Sequence, residues 1–398
     1  MSKKRILFIG HDANRAGAQL VLLQLIRLLQ QDGGYTMHLL LGEGGPLLAD
    51  YRQLCPVTLW PPATPYLLGP VADKIIGKLG LWQTLASRQQ TQRQQTLYQE
   101  LQLDTVDLVM VNTVAGSRWF RQLPLAGTLP VITFVHELEM SVQMYTQPDE
   151  LAYLLERSNQ ILAVSQATIG YYQTEHGVPP AKISQFTLVD LPSLQQAIAN
   201  ARTRPKPLLD HGIPENALII GGCGNAEWRK GNDLFVVLAR LVKSRLPQTD
   251  IHFVWVGMPS GSLRDDLLLD IKKAGLADLV HLIPPTPDVL RYIAHFDIFV
   301  LCSREDPYPL VVLEAGLSEV PVVCFDKAGG APELVETNGG LVAPYLDLST
   351  MCEQMVQLAT DAALRQTLGR QLAQKIVARH NNTQSMHLLL TSLRTLIP

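Results

Sequence analysis

Charge is scarce in this chain of 398 residues. Asp, Glu, Lys and Arg together make up 17% of it, where about 25% is usual. Neither sign is in surplus, since 33 Lys and Arg stand against 36 Asp and Glu. That balance argues against a nucleic-acid partner, which needs an excess of basic side chains. Low charge also leaves room for a less polar face that meets a lipid or a protein. Cysteine is sparse and unpaired in pattern: Cys55, Cys223, Cys302, Cys324 and Cys352 are scattered and odd in number. Such usage fits reduced thiols in a cytosolic protein and offers no metal-ligand spacing. No apolar run approaches the roughly 18 residues of a membrane span. The start resembles a signal peptide only at first glance. Its apolar stretch at residues 6–9 is too short and is broken at once by residues 11–15, so it reads as a first buried strand in a cytoplasmic protein.

What is present is apolar. Hydrophobic residues make up 47%, which excludes disorder, and the length calls for two or three domains of roughly 100–200 residues each. Short apolar runs fall at residues 6–9, 37–41, 108–111, 131–135 and 161–164. A second series falls at 217–220, 251–256, 279–283, 298–301 and 320–324. Continuous rather than alternating runs, separated by helical patterns, predict parallel sheets covered on both faces. The expected fold is therefore α/β, with two doubly wound domains. A polar, proline-bearing stretch at residues 203–207 sets the expected boundary, giving domains at 1–203 and 208–373. The closing segment 374–398 is helical in pattern and fits on either domain. In such sheets ligands sit beyond the carboxyl ends of the strands, so strand-end residues are the candidates.

The most informative stretch, residues 303–315, leaves a strand, passes two prolines and enters a helix. Within that helix Glu314 has Leu310 and Val311 one turn back and Leu317 one turn on. A carboxylate on an apolar face needs a partner, and ribose hydroxyls or a protein donor would both serve. Asp306 precedes the helix, as a cleft-facing acid or as a plain helix-start signal. A second cluster, residues 221–231, carries Arg229 and Lys230 ahead of a helix starting near Asn232. Two cations and a glycine at a helix start suit a diphosphate, while a solvated pair beside Glu227 is the plainer reading. The glycines do not complete a dinucleotide fingerprint. In the first half, Gly17 opens a Leu-rich helix where backbone can approach an anion, with a plain loop glycine as the other reading. His136 directly follows a parallel strand, as a catalytic candidate or a structural histidine. No nucleophilic triad, zincin pair or Gly-Lys-Ser/Thr phosphate loop is present. At residues 71–93, Ile75, Ile76, Leu79 and Trp82 form a stripe near Lys74 and Lys78. It reads as core or, less often, as peripheral membrane contact at an inner membrane face.

Together these residues resemble the retaining glycosyltransferases of family 4 (group 1), which have the GT-B fold of two facing Rossmann-like domains. The resemblance covers most of the chain and is strongest from Gly221 to about Asp347. It is carried by the Lys230-Gly231 step, the acid motif from Ser303 to Ala315, Gly329-Gly330-Ala331-Pro332-Glu333, and Gly339-Gly340-Leu341-Val342. Ala16-Gly17-Ala18-Gln19 and His136 carry it in the first domain. The resemblance implies an acceptor side in the first domain and a nucleotide-sugar donor in the second, with no metal and no cofactor. Glu314 would hold the ribose, and Asp306 would meet the transferred sugar. Arg229 and Lys230 would neutralise the diphosphate, helped by N–H groups near Leu310 and Val311. Three departures stand out. Asp306 is one methylene shorter than the family's Glu, with Glu305 offset by one residue as the other candidate. The usual arginine position is Asn225 or a neighbour. Pro309 stands where glycine is common. Two rivals remain: a nucleotide-sugar epimerase on the same fold, and a non-catalytic subunit that binds a sugar nucleotide.

Overall fold

The computed structural model describes residues 3–61 and 82–398, with side chains from residue 91 onward in the second stretch. Lys74, Ile75, Ile76, Lys78, Leu79 and the Trp82 side chain, the stripe noted above, lie outside the described residues. Two parallel sheets organise the rest. The first holds β1 (Lys4–Gly10), β2 (Tyr35–Leu41), β3 (Val57–Leu59), β4 (Leu108–Asn112), β5 (Val131–Val135), β6 (Gln160–Ala163) and β7 (Ile183–Gln185), in the order β3-β2-β1-β4-β5-β6-β7. The second holds β8 (Leu218–Cys223), β9 (Ile251–Val256), β10 (Val280–Ile283), β11 (Ile298–Leu301), β12 (Val322–Phe325) and β13 (Gly340–Ala343), in the order β10-β9-β8-β11-β12-β13. The reason for continuous apolar runs is plain in β1, where Ile6, Leu7, Phe8 and Ile9 are all fully buried, alternate residues serving opposite faces. Each such side chain contributes about 1.5–3 kcal/mol on burial. Strand order reverses between β1 and β4 and again between β8 and β11, and both reversals open a crevice at the strands' carboxyl ends.

The packing shifts the domain boundary. The helix Leu191–Thr203, assigned by sequence to the first domain, packs against the helices Val289–Ile293 and Leu310–Leu317, with Leu191 in the second domain's core. Arg202 also donates to the Ser318 carbonyl at 2.7 Å. Residues 203–207 therefore form a surface connection inside the second domain, and the chain crosses between sheets at residues 187–190. It returns once. The helix Ala362–Arg379 buries Leu372 and Ile376 in the second domain, whereas Asn382–Leu396 buries Met386, Leu389 and Leu393 in the first. The two crossings are tied: Val189 N–H donates to Asn382 Oδ1 at 3.1 Å, and Ser385 Oγ donates to the Thr187 carbonyl at 2.6 Å.

Candidate active site

A cleft of about 520 Å³ lies between the domains, lined by residues that follow β1, β5, β8 and β11. On the second domain's side, β8 runs three residues further than its apolar run, so Gly221, Gly222 and Cys223 are strand and not loop. The chain then makes a short turn at Trp228–Lys230 before the helix Asn232–Arg245. Gly231 between them has φ +70°, and a Cβ there would lie 2.1 Å from the Cys302 carbonyl oxygen. Only glycine permits this approach. It sets the turn against the segment after β11, where the Arg229 carbonyl accepts from Arg304 N–H at 2.7 Å. Arg304 completes the clamp, with both guanidinium ends on Asp233 at 2.9 and 2.7 Å and its plane over Trp228 at 5.1 Å.

That clamp brings Lys230 to Asp306. Their Nζ and Oδ2 atoms are 2.6 Å apart, and the two side chains are 13% and 7% exposed. Ser303 Oγ donates to the same carboxylate oxygen at 3.4 Å. Asp306 is not the residue that begins the following helix, because Pro309 occupies that place. Instead, its N–H donates to the Ala328 carbonyl at 2.7 Å and its carbonyl accepts from Gly330 N–H at 3.1 Å. Arg229 also lines the cleft, with Nε 2.7 Å from Glu227 Oε2. Both cations of the proposed diphosphate site thus already hold carboxylate partners.

Backbone donors converge from both sides. Pro309 has no side chain to cap Leu310–Leu317, and the first bond of that helix is made by Val312 N–H to the Pro309 carbonyl. Helix geometry leaves the N–H groups of Leu310 and Val311 outside the intrahelical ladder. Across the cleft the helix Gly17–Asp32 also begins without a side-chain cap, and a Cβ on Gly17 would meet the Leu310 side chain at 3.7 Å. Two helix starts, each with partial positive charge, face one space.

The first domain adds His136. Asn112 Nδ2 donates to the Ala18 carbonyl at 3.2 Å, which leaves Asn112 Oδ1 to accept from His136 Nε2 at 3.0 Å. The proton therefore sits on Nε2, and Nδ1 carries a lone pair. Burial, reinforced by nearby His11, lowers the His136 pKa to about 3. This imidazole stays neutral at working pH. Its neighbour Glu137 is buried, and burial raises its carboxyl pKa to about 7 against opposing N–H bonds. Oε2 accepts from His136 N–H at 2.8 Å and Val114 N–H at 3.4 Å. His11, after β1, contacts Gln19 Nε2 at 3.0 Å and Thr113 Oγ1 at 3.3 Å.

Two expected donor-binding residues lie apart from this lining. Glu314 sits in the second turn of its helix, and burial raises its pKa to about 7. Among the described residues its Oε2 is a buried oxygen with no hydrogen-bond partner. Burial raises the thiol pKa of Cys223, at the end of β8, and the nearby charges of Glu314 and Lys230 act on it in opposite directions. Glu305 departs from its expected place beside the donor. Its two oxygens accept from the first domain's Met140 N–H at 3.2 and 3.1 Å. The structure thus brings Asp306, Arg229, Lys230, Gly17, Leu310, Val311 and His136 to one cleft and gives Glu305 another partner. Sequence reading missed Glu137, His11 and Arg304 as members of this region. His11 carried the same strand-end signal as His136, but the other two needed the fold. Among the described residues no three His, Cys, Asp or Glu side chains group to hold a metal ion.

Two parallel-sheet domains facing across such a cleft define the GT-B fold. Residues 217–361 match the family model of the group 1 glycosyl transferases, and the chain resembles that group. It is 27% identical over 194 residues to a D-inositol 3-phosphate glycosyltransferase of Arthrobacter sp. (strain FB24), covering 48% of this chain and 46% of that one. It is 25% identical over 223 residues to the lipopolysaccharide core biosynthesis mannosyltransferase LpcC of Rhizobium leguminosarum bv. viciae, covering 53% and 57%. The chain thus spans about half the length of these curated relatives. Among solved structures, Anabaena Alr3699/HepE in complex with UDP superposes with a TM-score of 0.72 at 18% identity, covering 98% of this chain and all of that one. WaaG, a glycosyltransferase involved in lipopolysaccharide biosynthesis, superposes at 0.67 with 14% identity, covering 96% and 98%. At these identities the likeness shows the fold.

Proposed function

We propose that this protein is a metal-independent, retaining glycosyltransferase of glycoconjugate synthesis, moving a sugar from a nucleoside-diphosphate donor to an acceptor hydroxyl. One observation carries the reading: Glu314, whose Oε2 is buried and unpartnered, belongs to the helix whose first residues, Leu310 and Val311, line a cleft furnished with two cations and two open helix starts. Ribose hydroxyls would satisfy that oxygen. Lys230, Arg229 and the N–H groups of Leu310 and Val311 would hold the diphosphate, as they oppose the charge that grows on it when the sugar–phosphate bond breaks. Asp306 would meet the transferring sugar, and His136 Nδ1 would accept from a sugar hydroxyl. The new bond forms from the acceptor oxygen to the sugar carbon on the face the phosphate leaves, and the acceptor's proton passes to the departing phosphate oxygen. Support comes from the curated relatives, which are named as sugar transferases, and from the UDP complex of a structural neighbour. No helix among the described residues is long and apolar enough to cross a membrane. We place the protein at work in the cytoplasm.

Calorimetry with UDP, GDP and ADP tests the site directly. Lys230→Ala should weaken the nucleotide that binds wild type by about 1.5–3 kcal/mol, the contribution of a charge-assisted contact. Unchanged affinity would move the diphosphate elsewhere. Full transfer activity is also expected in excess chelator, because side-chain cations supply the neutralisation. A complete loss restored by a divalent ion would refute that arrangement.

A further inference from the structure

Glu305 and Glu333 make matching contacts between the domains. Glu305 leaves the second domain to accept from Met140 N–H. Glu333, in the helix Ala331–Val335 of the same domain, accepts from Gln166 N–H at 3.0 Å and Ala167 N–H at 2.6 Å, the opening residues of the first domain's helix Gln166–His176. Ser165, which caps that helix by accepting from Thr168 N–H at 3.1 Å, lies against Gly330. A Cβ on Gly330 would fall 2.9 Å from the Ser165 Cβ, so the bare backbone is what lets the loop touch the first domain.

Asp306 lies between these contacts. It follows Glu305 directly, and its backbone is bridged to Gly329 and bonded to Ala328 and Gly330, three to five residues before Glu333. The backbone of Asp306 is thus joined by short hydrogen-bonded segments to both carboxylate-bearing residues. Both contacts are also reversible by design of their chemistry. Water can solvate a carboxylate and an N–H once they part, so the net cost of separation is far smaller than the strength of the bond itself. Glu333 borders a second interdomain cavity shared with Thr187 and His380, at the two chain crossings. Glu305 stands by the Glu139–Tyr145 helix, whose Ser141 and Tyr145 line the catalytic cleft.

We infer that Glu305 and Glu333 are positioning residues, a pair of carboxylate latches that hold the domains together around the cleft and fix Asp306 against the sugar. The part about Asp306 rests on the proposed function, whereas the latch itself does not. All five native cysteines are buried, so spin labels at Glu100→Cys and Asp266→Cys, both exposed and on different domains, report the interdomain distance alone. Pulsed electron resonance should give one narrow distribution for the labelled parent. Glu305→Ala with Glu333→Ala should broaden it and lengthen its mean. Glu305→Gln, whose amide oxygen still accepts, should fall between. Superimposable distributions for parent and double variant would overturn the latch. In a transfer assay Glu305→Ala should lower kcat by about tenfold to a hundredfold, the scale of a misplacement near 1 Å, with donor KM close to wild type. A defect confined to KM would overturn the positioning role. A changed distance distribution in a protein that transfers no sugar would refute the proposed function and leave the latch standing.

Discussion

Asp306→Asn is expected to cut sugar-transfer turnover tens- to nearly a thousandfold while nucleoside diphosphate still binds. That range corresponds to about 2–4 kcal/mol of transition-state stabilisation, the usual weight of one contact that strengthens as charge develops. The substitution keeps shape and hydrogen-bonding capacity at the 2.6 Å contact with Lys230, so the lysine stays in place for the diphosphate. What is lost is the negative charge that the proposed function sets beside the reacting sugar. Initial rates at saturating donor, paired with calorimetry on the nucleotide, separate the two effects. Wild-type kinetics would reduce Asp306 to a partner for Lys230. Glu305→Gln should retain more turnover than Asp306→Asn, and the reverse order would mean that the sugar meets Glu305.

Glu314→Gln should do two opposite things: stabilise the fold at alkaline pH and weaken nucleotide binding. Burial raises the folded-state pKa to about 7 from an ordinary 4.5. The folded protein therefore holds a proton more tightly than the unfolded chain does. Between pH 4.5 and 7 unfolding releases that proton, so stability falls as pH rises through this window and the full penalty stands above pH 7. A shift of this size corresponds to about 3 kcal/mol at most. Gln carries no such penalty. Melting curves should show the variant more stable than wild type at pH 8 and nearly equal to it at pH 4.5, with Glu137 leaving a slope of its own in both. A variant less stable than wild type at pH 8 would show that the carboxylate is satisfied in the fold, and the ribose assignment would lose its basis. The opposing signs would mark a residue kept for binding at a cost in stability.

The ten apolar runs read from the sequence all coincide with strands, because each is buried on both faces and therefore apolar without interruption. β3, β7 and β13 were not legible. They are edge strands of three or four residues with half-buried positions, and so short a segment carries no period. The boundary was misplaced for a related reason. Prolines and polar residues at 203–207 mark a surface turn, whereas the true crossing contains Leu188, which is buried and looks like core. In the site, Lys230 and Asp306 each carried a chemical signal, but their pairing across 76 residues needed the fold. Glu305 and Asp306 could not be told apart by pattern. Adjacent residues on an extended segment point to opposite sides, and only the packed domains show that one side is Met140 and the other Lys230.

Because Met386, Leu389 and Leu393 complete the core built around β1, the first domain is discontinuous in sequence. The order of synthesis and the order of completion are therefore inverted. The domain whose strands leave the ribosome first cannot close its core until residues 382–396 have been made, after even the second domain's last segment, the helix Ala362–Arg379. During that interval the half-finished sheet exposes the apolar groove that the last helix will fill, and the folded second domain holds that helix's attachment point, residues 379–381, next to it. Folding of the early domain thus becomes a docking step of a tethered helix, dependent on a neighbour that was translated later.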